Sequence, residues 1–293
     1  MKSPKLLTLA ASAALISSAS AIVTVDYVTV GNAGNAADST GYGAVGYSYQ
    51  IGKYEVTNAQ YGAFLNAAAK TDSYGLYNTN MSGFGITRGG ISGSYTYSVT
   101  TTLANRPVVY VSWFDAARMA NWMMNGQGIG STETGAYTLN GAISGIVLAN
   151  AGAQIYIPTE DEWYKAAYYN SASQTYSLYP NGTNGITTAD ANYNSATSTD
   201  VGSFSIVPSS YGTFDQGGNV WELNDAVISG SSRGLRGGAW DNFGSFLASS
   251  ASFSLVPSNE DINLGFRLAS VPEPSSLVLS VLASGVVLLR RKR

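Results

Sequence analysis

The sequence predicts an α+β fold in a single domain, rich in loops and with little regular secondary structure. Three observations carry that prediction. Three segments place a hydroxyl residue three positions ahead of an acid or amide, just before an apolar-periodic run, as helix N-termini do. Short β-branched pieces are separated by long Asn, Ser, Thr and Gly stretches. No internal repeat and no linker divides residues 22–270.

From the N-terminus, Lys2 and Lys5 precede an apolar run, and Ala19-Ser20-Ala21 fits a small-x-small cleavage site. Residues 1–21 therefore read as a secretory signal peptide. "IVTVDYVTV" (22–30) alternates as a strand does, and "YSYQIGKYEVT" (47–57) is a second strand region. The three helix starts are Thr57 with Gln60, Ser112 with Asp115, and Thr159 with Glu162. The first helix runs through "NAQYGAFLNAAA". The second runs through "WFDAARMANWMMN" and stops near Gly126. The third runs through "EDEWYKAAYY" and stops near Asn170, which tolerates the left-handed conformation. Their Trp and Met stripes read as core. Beyond residue 170 the β-like pieces are "VGSF", "GLRGGAW" and "NLGFRLA".

Composition removes several chemistries. The 293 residues include no Cys and no His, and only 11% are charged. Ser-His-Asp and Cys-His nucleophile systems are excluded, as are His-bound zinc or iron and thiolate copper. Disulfides are excluded too. Carboxylates, Tyr, Lys, hydroxyls and backbone groups remain. Residues 22–270 carry nine basic and seventeen acidic side chains, a net charge of about −8. An acidic domain without a basic patch is a poor nucleic-acid binder.

The C-terminal stretch reads "VPEPSSLVLSVLASGVVLLRRKR". Prolines break the chain, an apolar run from Leu277 to Leu289 follows, and four basic residues close it. The run is short for a full membrane span. With Pro272, Glu273 and Pro274 as its motif, residues 271–293 resemble the PEP-CTERM sorting signal of Gram-negative bacteria. That resemblance implies processing by an exosortase after passage through the export machinery. It also implies a transient membrane anchor and a destination in the periplasm, on the outer surface or in the extracellular matrix. An ordinary tail anchor is the alternative, and it too implies export.

Six stretches stand in one order: "IGKYEVTNAQYGAFLN", "RPVVYVSWFDAARMANWM", "YIPTEDEWYKAAY", "GTFDQGGNVWELND", "LRGGAWDN" and "LGFR". The series resembles the formylglycine-generating enzyme family, also called the sulfatase-modifying factor domain. The resemblance implies an irregular fold related to C-type lectins, with bound calcium. Carried over residue by residue, the Ca²⁺ ligands are the carboxylates of Asp215 and Glu222 and the carbonyls of Gly218 and Val220. Asn192 and Tyr193 align with a second calcium site whose following loop is shorter here. Ca²⁺ takes six to eight oxygens, which such a loop can supply. Glu222 can equally be a buried acid bonded to backbone N–H groups. Trp221 reads as core, and Arg267 as a structural ion-pair partner or carbonyl donor.

Oxidising members of that family hold copper with two Cys. Asn242 and Leu247 occupy those positions here, and neither supplies the soft sulfur that copper(I) prefers. A related branch holds iron by His, which the chain also lacks. The expected cofactor is therefore calcium, with no copper, haem or nucleotide. The leading expectation is a non-catalytic binding or structural module of the cell surface or matrix. Its cleft would lie near Trp240, Asp241 and Asn242 and take an extracellular polysaccharide or a peptide. Trp240 suits such a cleft if exposed and the core if buried. Two enzymatic alternatives stand beside it. One is a carboxylate-based hydrolase using Asp225 and Asp241. The other is a family enzyme working through an unrecognised oxygen-ligated metal site.

Overall fold

The structure, a computed structural model, describes residues 22–271. The proposed signal peptide (1–21) and the motif residues Pro272, Glu273 and Pro274 lie outside the described residues. In chain order the elements are β1 (Tyr27–Val30), β2 (Tyr49–Gly52), α1 (Asn58–Ala68), β3 (Ile86–Gly89), β4 (Thr96–Val99), α2 (Trp113–Met124), β5 (Ile155–Tyr156) and α3 (Glu160–Tyr168). They continue as β6 (Tyr169–Asn170), β7 (Thr175–Tyr176), β8 (Trp221–Val227), β9 (Arg233–Arg236), β10 (Phe253–Leu255), β11 (Leu264–Phe266) and β12 (Ala269–Ser270).

All three helix starts carry a complete capping box. The Thr57, Ser112 and Thr159 hydroxyls accept from the backbone of Gln60, Asp115 and Glu162, whose side chains reach back. Each box satisfies N–H groups that a helix start leaves unpaired. Helix α2 buries eleven of its twelve residues, Trp113 to Met123, so it runs through the core rather than along its surface. Phe64 of α1 packs on Trp122 of α2, with ring centroids 5.3 Å apart.

The third helix ends earlier than its sequence suggests. Tyr169 caps it in an extended conformation, because Tyr169 and Asn170 pair with Tyr176 and Thr175. Asn170 is therefore a strand residue and not a left-handed cap. The first strand is also shorter than the alternation predicts. Val23 bonds through both its N–H and its carbonyl to the Gln127 side chain, and the Thr24 carbonyl accepts from Gln60. Side chains thus satisfy backbone groups that a strand would pair. "VGSF" forms turns around Gly202, which has φ +74°.

Two four-stranded sheets frame the domain. One has the order β1-β2-β12-β5, joining the first and last strands of the described chain. The other has the order β10-β9-β8-β11, with β11 parallel to β8. Parallel pairing requires a long crossover, and here it spans the loop that carries β9 and β10. The pairing sets Glu222 of β8 beside Gly265, two residues before Arg267.

Candidate functional site

Two places gather the residues singled out above: a buried carboxylate cluster under β8 and an aromatic cleft beside it.

The cluster centres on Glu222 and Arg267, both fully buried. Arg267 Nε and Nη2 each lie 2.5 Å from a Glu222 carboxylate oxygen, a bidentate pair. Trp163 Nε1 also donates to Glu222, at 2.7 Å. The remaining Arg267 N–H groups donate to the carbonyls of Gly52 (2.8 Å) and Phe214 (2.9 Å). Arg267 is thus an ion-pair partner and a carbonyl donor at once, and it ties β2, the 214–220 loop and β8 together. Both oxygens of Glu222 are engaged, and side chains rather than backbone N–H groups engage them.

Two more acids flank the pair. Asp215, at φ +60°, accepts from Gly202 N–H at 2.5 Å. Burial, only partly offset by that hydrogen bond and by Arg267, pushes its carboxyl up to about 6. Glu55 is 1% exposed. One of its oxygens accepts from Asn219 Nδ2 at 3.0 Å, and the other is buried without a partner. Burial, and then the nearby charges of Asp215 and Glu222, push the Glu55 carboxyl well above the carboxylate range. Three acids therefore surround one guanidinium, an arrangement costly to leave uncompensated in the interior.

The loop above the cluster is wound tightly. Gly218 has φ +83°, and a Cβ there would collide with the Asn192 carbonyl oxygen. Asn219 is left-handed as well, at φ +59°, and its amide links Glu55 to the 192–199 loop. Val220 is buried. Asp215 lines a cavity of about 20 Å³, close to the room one water needs. Among the described residues, no three His, Cys, Asp or Glu side chains could hold a metal ion by themselves. A cation here would need carbonyl oxygens to complete its shell. The partnerless Glu55 oxygen and the excess of carboxylates fit a hard cation.

Sequence reasoning missed Glu55. Its position in "YEVT" read as an ordinary strand residue, although a lone acid between Tyr54 and Val56 is the kind of residue that is rarely buried unpaired.

The cleft has a volume of about 320 Å³. Its floor is apolar, from Trp221, Leu235, Phe246, Phe253, Leu255 and Leu264. Trp221, Phe246 and Phe253 form one aromatic group, with the Trp221 and Phe253 ring centroids 5.0 Å apart. The rim is polar, from Asn242, Asn259, Asp261 and Asn263, and it carries no cationic side chain. Asp241 is exposed and receives both 3.0 Å bonds from Asn263 Nδ2, so it buttresses the rim. Trp240 is partly exposed and does not line the cleft. Its backbone N–H donates to Asn219 at 3.0 Å, which joins the cleft loop to the loop over the carboxylates.

Of the two residues at the expected cysteine positions, Asn242 is on the rim and Leu247 is buried. The Asp225 and Asp241 pair does not converge on the cleft, where Asp261 is the one acidic lining residue. Asp225, in β8, is held by Arg233 of β9 at 2.9 Å, and burial pushes its carboxyl up to about 7.

Residues 30–271 match the model of the Sulfatase-modifying factor enzyme 1-like domain. The chain belongs to that family. Among solved structures, variable protein 1 of Treponema denticola is similar, with 22% identity and a TM-score of 0.59. That match covers 84% of this chain and 95% of the other. The structure of CarF is similar at 22% identity and a TM-score of 0.60, covering 86% of this chain and 100% of the other. At this level the likeness shows a shared mixed α/β fold with few helices. No curated protein matches the chain. No thiol and no imidazole is present anywhere in the chain.

Proposed function

We propose that residues 22–270 form a non-catalytic recognition module, exported and held at the cell surface or in the extracellular matrix, that binds a neutral polysaccharide in the aromatic cleft. The observation that carries this reading is the cleft's composition. An exposed Phe253 ring and two further aromatics form an apolar floor under three asparagine amides and one carboxylate. A sugar ring presents an apolar C–H face and hydroxyl edges, which match such a floor and rim. The rim is acidic without a cation, which disfavours anionic polymers. Copper- or iron-based oxidation of the family's kind has no thiolate or imidazole ligands to use.

Calcium is proposed as the structural ion of the loop above β8. Asp215 would supply a carboxylate oxygen, with the Gly218 and Val220 carbonyls and the free oxygen of Glu55. Glu222 would contribute charge from its place beside Arg267. The tail from Pro272 is proposed as an exosortase-processed sorting signal.

The test is a binding screen of the purified protein against neutral glycans, acidic glycans and peptides. Neutral glycans should bind and compete with one another. A preference for peptides or acidic polymers, or no binding at all, would overturn the ligand assignment.

A further inference from the structure

The polar rim of the aromatic cleft has a set polarity, and a residue outside the lining sets it. Asp241 is exposed and is not among the residues that line the cavity. Its carboxylate offers acceptors only. Asn242 Nδ2 donates to its Oδ1 at 3.2 Å, and Asn263 Nδ2 lies 3.0 Å from both of its oxygens. An amide oxygen turned toward that carboxylate would set acceptor against acceptor. Both amides therefore present nitrogen to Asp241.

The two asparagines are not equally constrained. Asn242 is held at both ends, because its Oδ1 also accepts from the Ala239 N–H at 3.0 Å. Asn263 is held at one end. With its nitrogen on Asp241, its Oδ1 has no partner among the described residues, and Asn263 lines the cleft. Asp261 lines the cleft as well. One of its oxygens accepts from the Ile262 N–H at 2.7 Å, and the other has no partner among the described residues. The side-chain oxygens left open at these two rim positions are acceptors, which call for hydroxyl donors on a ligand.

We propose that Asp241 is a positioning residue that sets the selectivity of the cleft. By holding Asn263 with its oxygen free, it makes the site choose polysaccharides with free hydroxyl groups over O-methylated or O-acylated ones. The inference rests on the reading of the cleft as a polysaccharide site. A site arranged to bond a hydroxyl rejects the analogue without it, since the site's own polar group is then left unpaired.

The substitution Asp241→Asn has a defined consequence. The new amide offers one acceptor and one donor side. Asn242 keeps its nitrogen toward position 241, because its oxygen stays on Ala239, and it takes the acceptor. The donor side then meets Asn263, whose amide turns over. The cleft gains an amide donor where it had an acceptor, and that donor suits an ether or ester oxygen.

The test is calorimetry on the purified protein with cellohexaose, laminarihexaose and maltohexaose, each free and permethylated. At least one free oligosaccharide should bind, with its methylated form about ten-fold weaker or more, as one lost hydrogen bond implies. Asp241→Asn should shrink that ratio and bind the methylated form more tightly than the unmutated protein does. A merely structural role for Asp241, or a steric block to the methyl groups, would leave the ratio where it was. Asn263→Ala should also shrink the ratio, through weaker binding of the free form, and adding Asp241→Asn to it should change the ratio no further. A ratio that survives Asp241→Asn, or free forms bound no more tightly than methylated ones by the unmutated protein, overturns the inference and leaves the polysaccharide reading standing. No binding of any form overturns both.

Discussion

Glu222 of β8 and Arg267, the residue that follows β11, meet through two parallel 2.5 Å contacts in the fully buried interior. The pair is the junction of the second sheet, the 214–220 loop and strand β2. Breaking a buried pair leaves an uncompensated charge and costs about 3–5 kcal/mol. Glu222→Gln and Arg267→Met should each lower stability by that order in urea unfolding. Arg267→Lys should rescue little, because an ammonium cannot make a planar fork and reach the Gly52 and Phe214 carbonyls together.

Glu55 distinguishes the structural pair from a cation site. Its unpartnered oxygen is destabilising when ionised and bare. Glu55→Gln should therefore raise the melting temperature in chelator and abolish most of the further rise on adding calcium. For the unmutated protein, calcium at a hundred times its Kd should add about 2.7 kcal/mol. Thermal unfolding with and without calcium checks both. An unmutated protein whose melting is indifferent to calcium would remove the ion from the proposal.

Acid should stabilise the metal-free domain within a defined window. Burial raises Asp115 and Asp225 to about 7 and Asp215 to about 6, from an ordinary value of 3.8. Burial raises Glu55 in the same direction. The folded state then binds protons more tightly than the unfolded chain does. The resulting stabilisation is full below about pH 4 and is lost as pH rises through 6 to 7. Chemical denaturation in chelator should show a higher midpoint at pH 5 than at pH 8. Calcium should narrow the difference by compensating Asp215 and Glu55.

Gly218→Ala tests the tight loop. The residue needs φ +83° and has no room for a Cβ beside the Asn192 carbonyl. Such a conformation costs about 1–3 kcal/mol for a residue with a side chain, and the collision adds to it. The variant should be less stable than the unmutated protein and should bind calcium more weakly by calorimetry.

Phe253→Ala tests the cleft. The ring is about half exposed and packs on Trp221. Aromatic contacts of this kind contribute about 0.5–1.5 kcal/mol. Glycan affinity should fall by up to about ten-fold, with the unfolding midpoint nearly unchanged.

The helices were legible because their signals are local. A hydroxyl and an acid three residues apart cap a helix through contacts within one turn, and all three boxes formed where the spacing placed them. The order of the six sequence stretches likewise pointed to the family that residues 30–271 match. What the sequence alone determined, then, was the set of helices, the family, and the want of any thiolate or imidazole ligand. Partnership was decided only in three dimensions. Glu222 and Arg267 are 45 residues apart, and Glu55 comes to lie under Asn219 from 164 residues away. No local periodicity encodes such meetings, since they depend on how strands pair and on what the interior leaves uncompensated. The early ends of β1 and α3 have the same origin: Gln127 and strand β7 supplied hydrogen-bond partners from elsewhere in the chain.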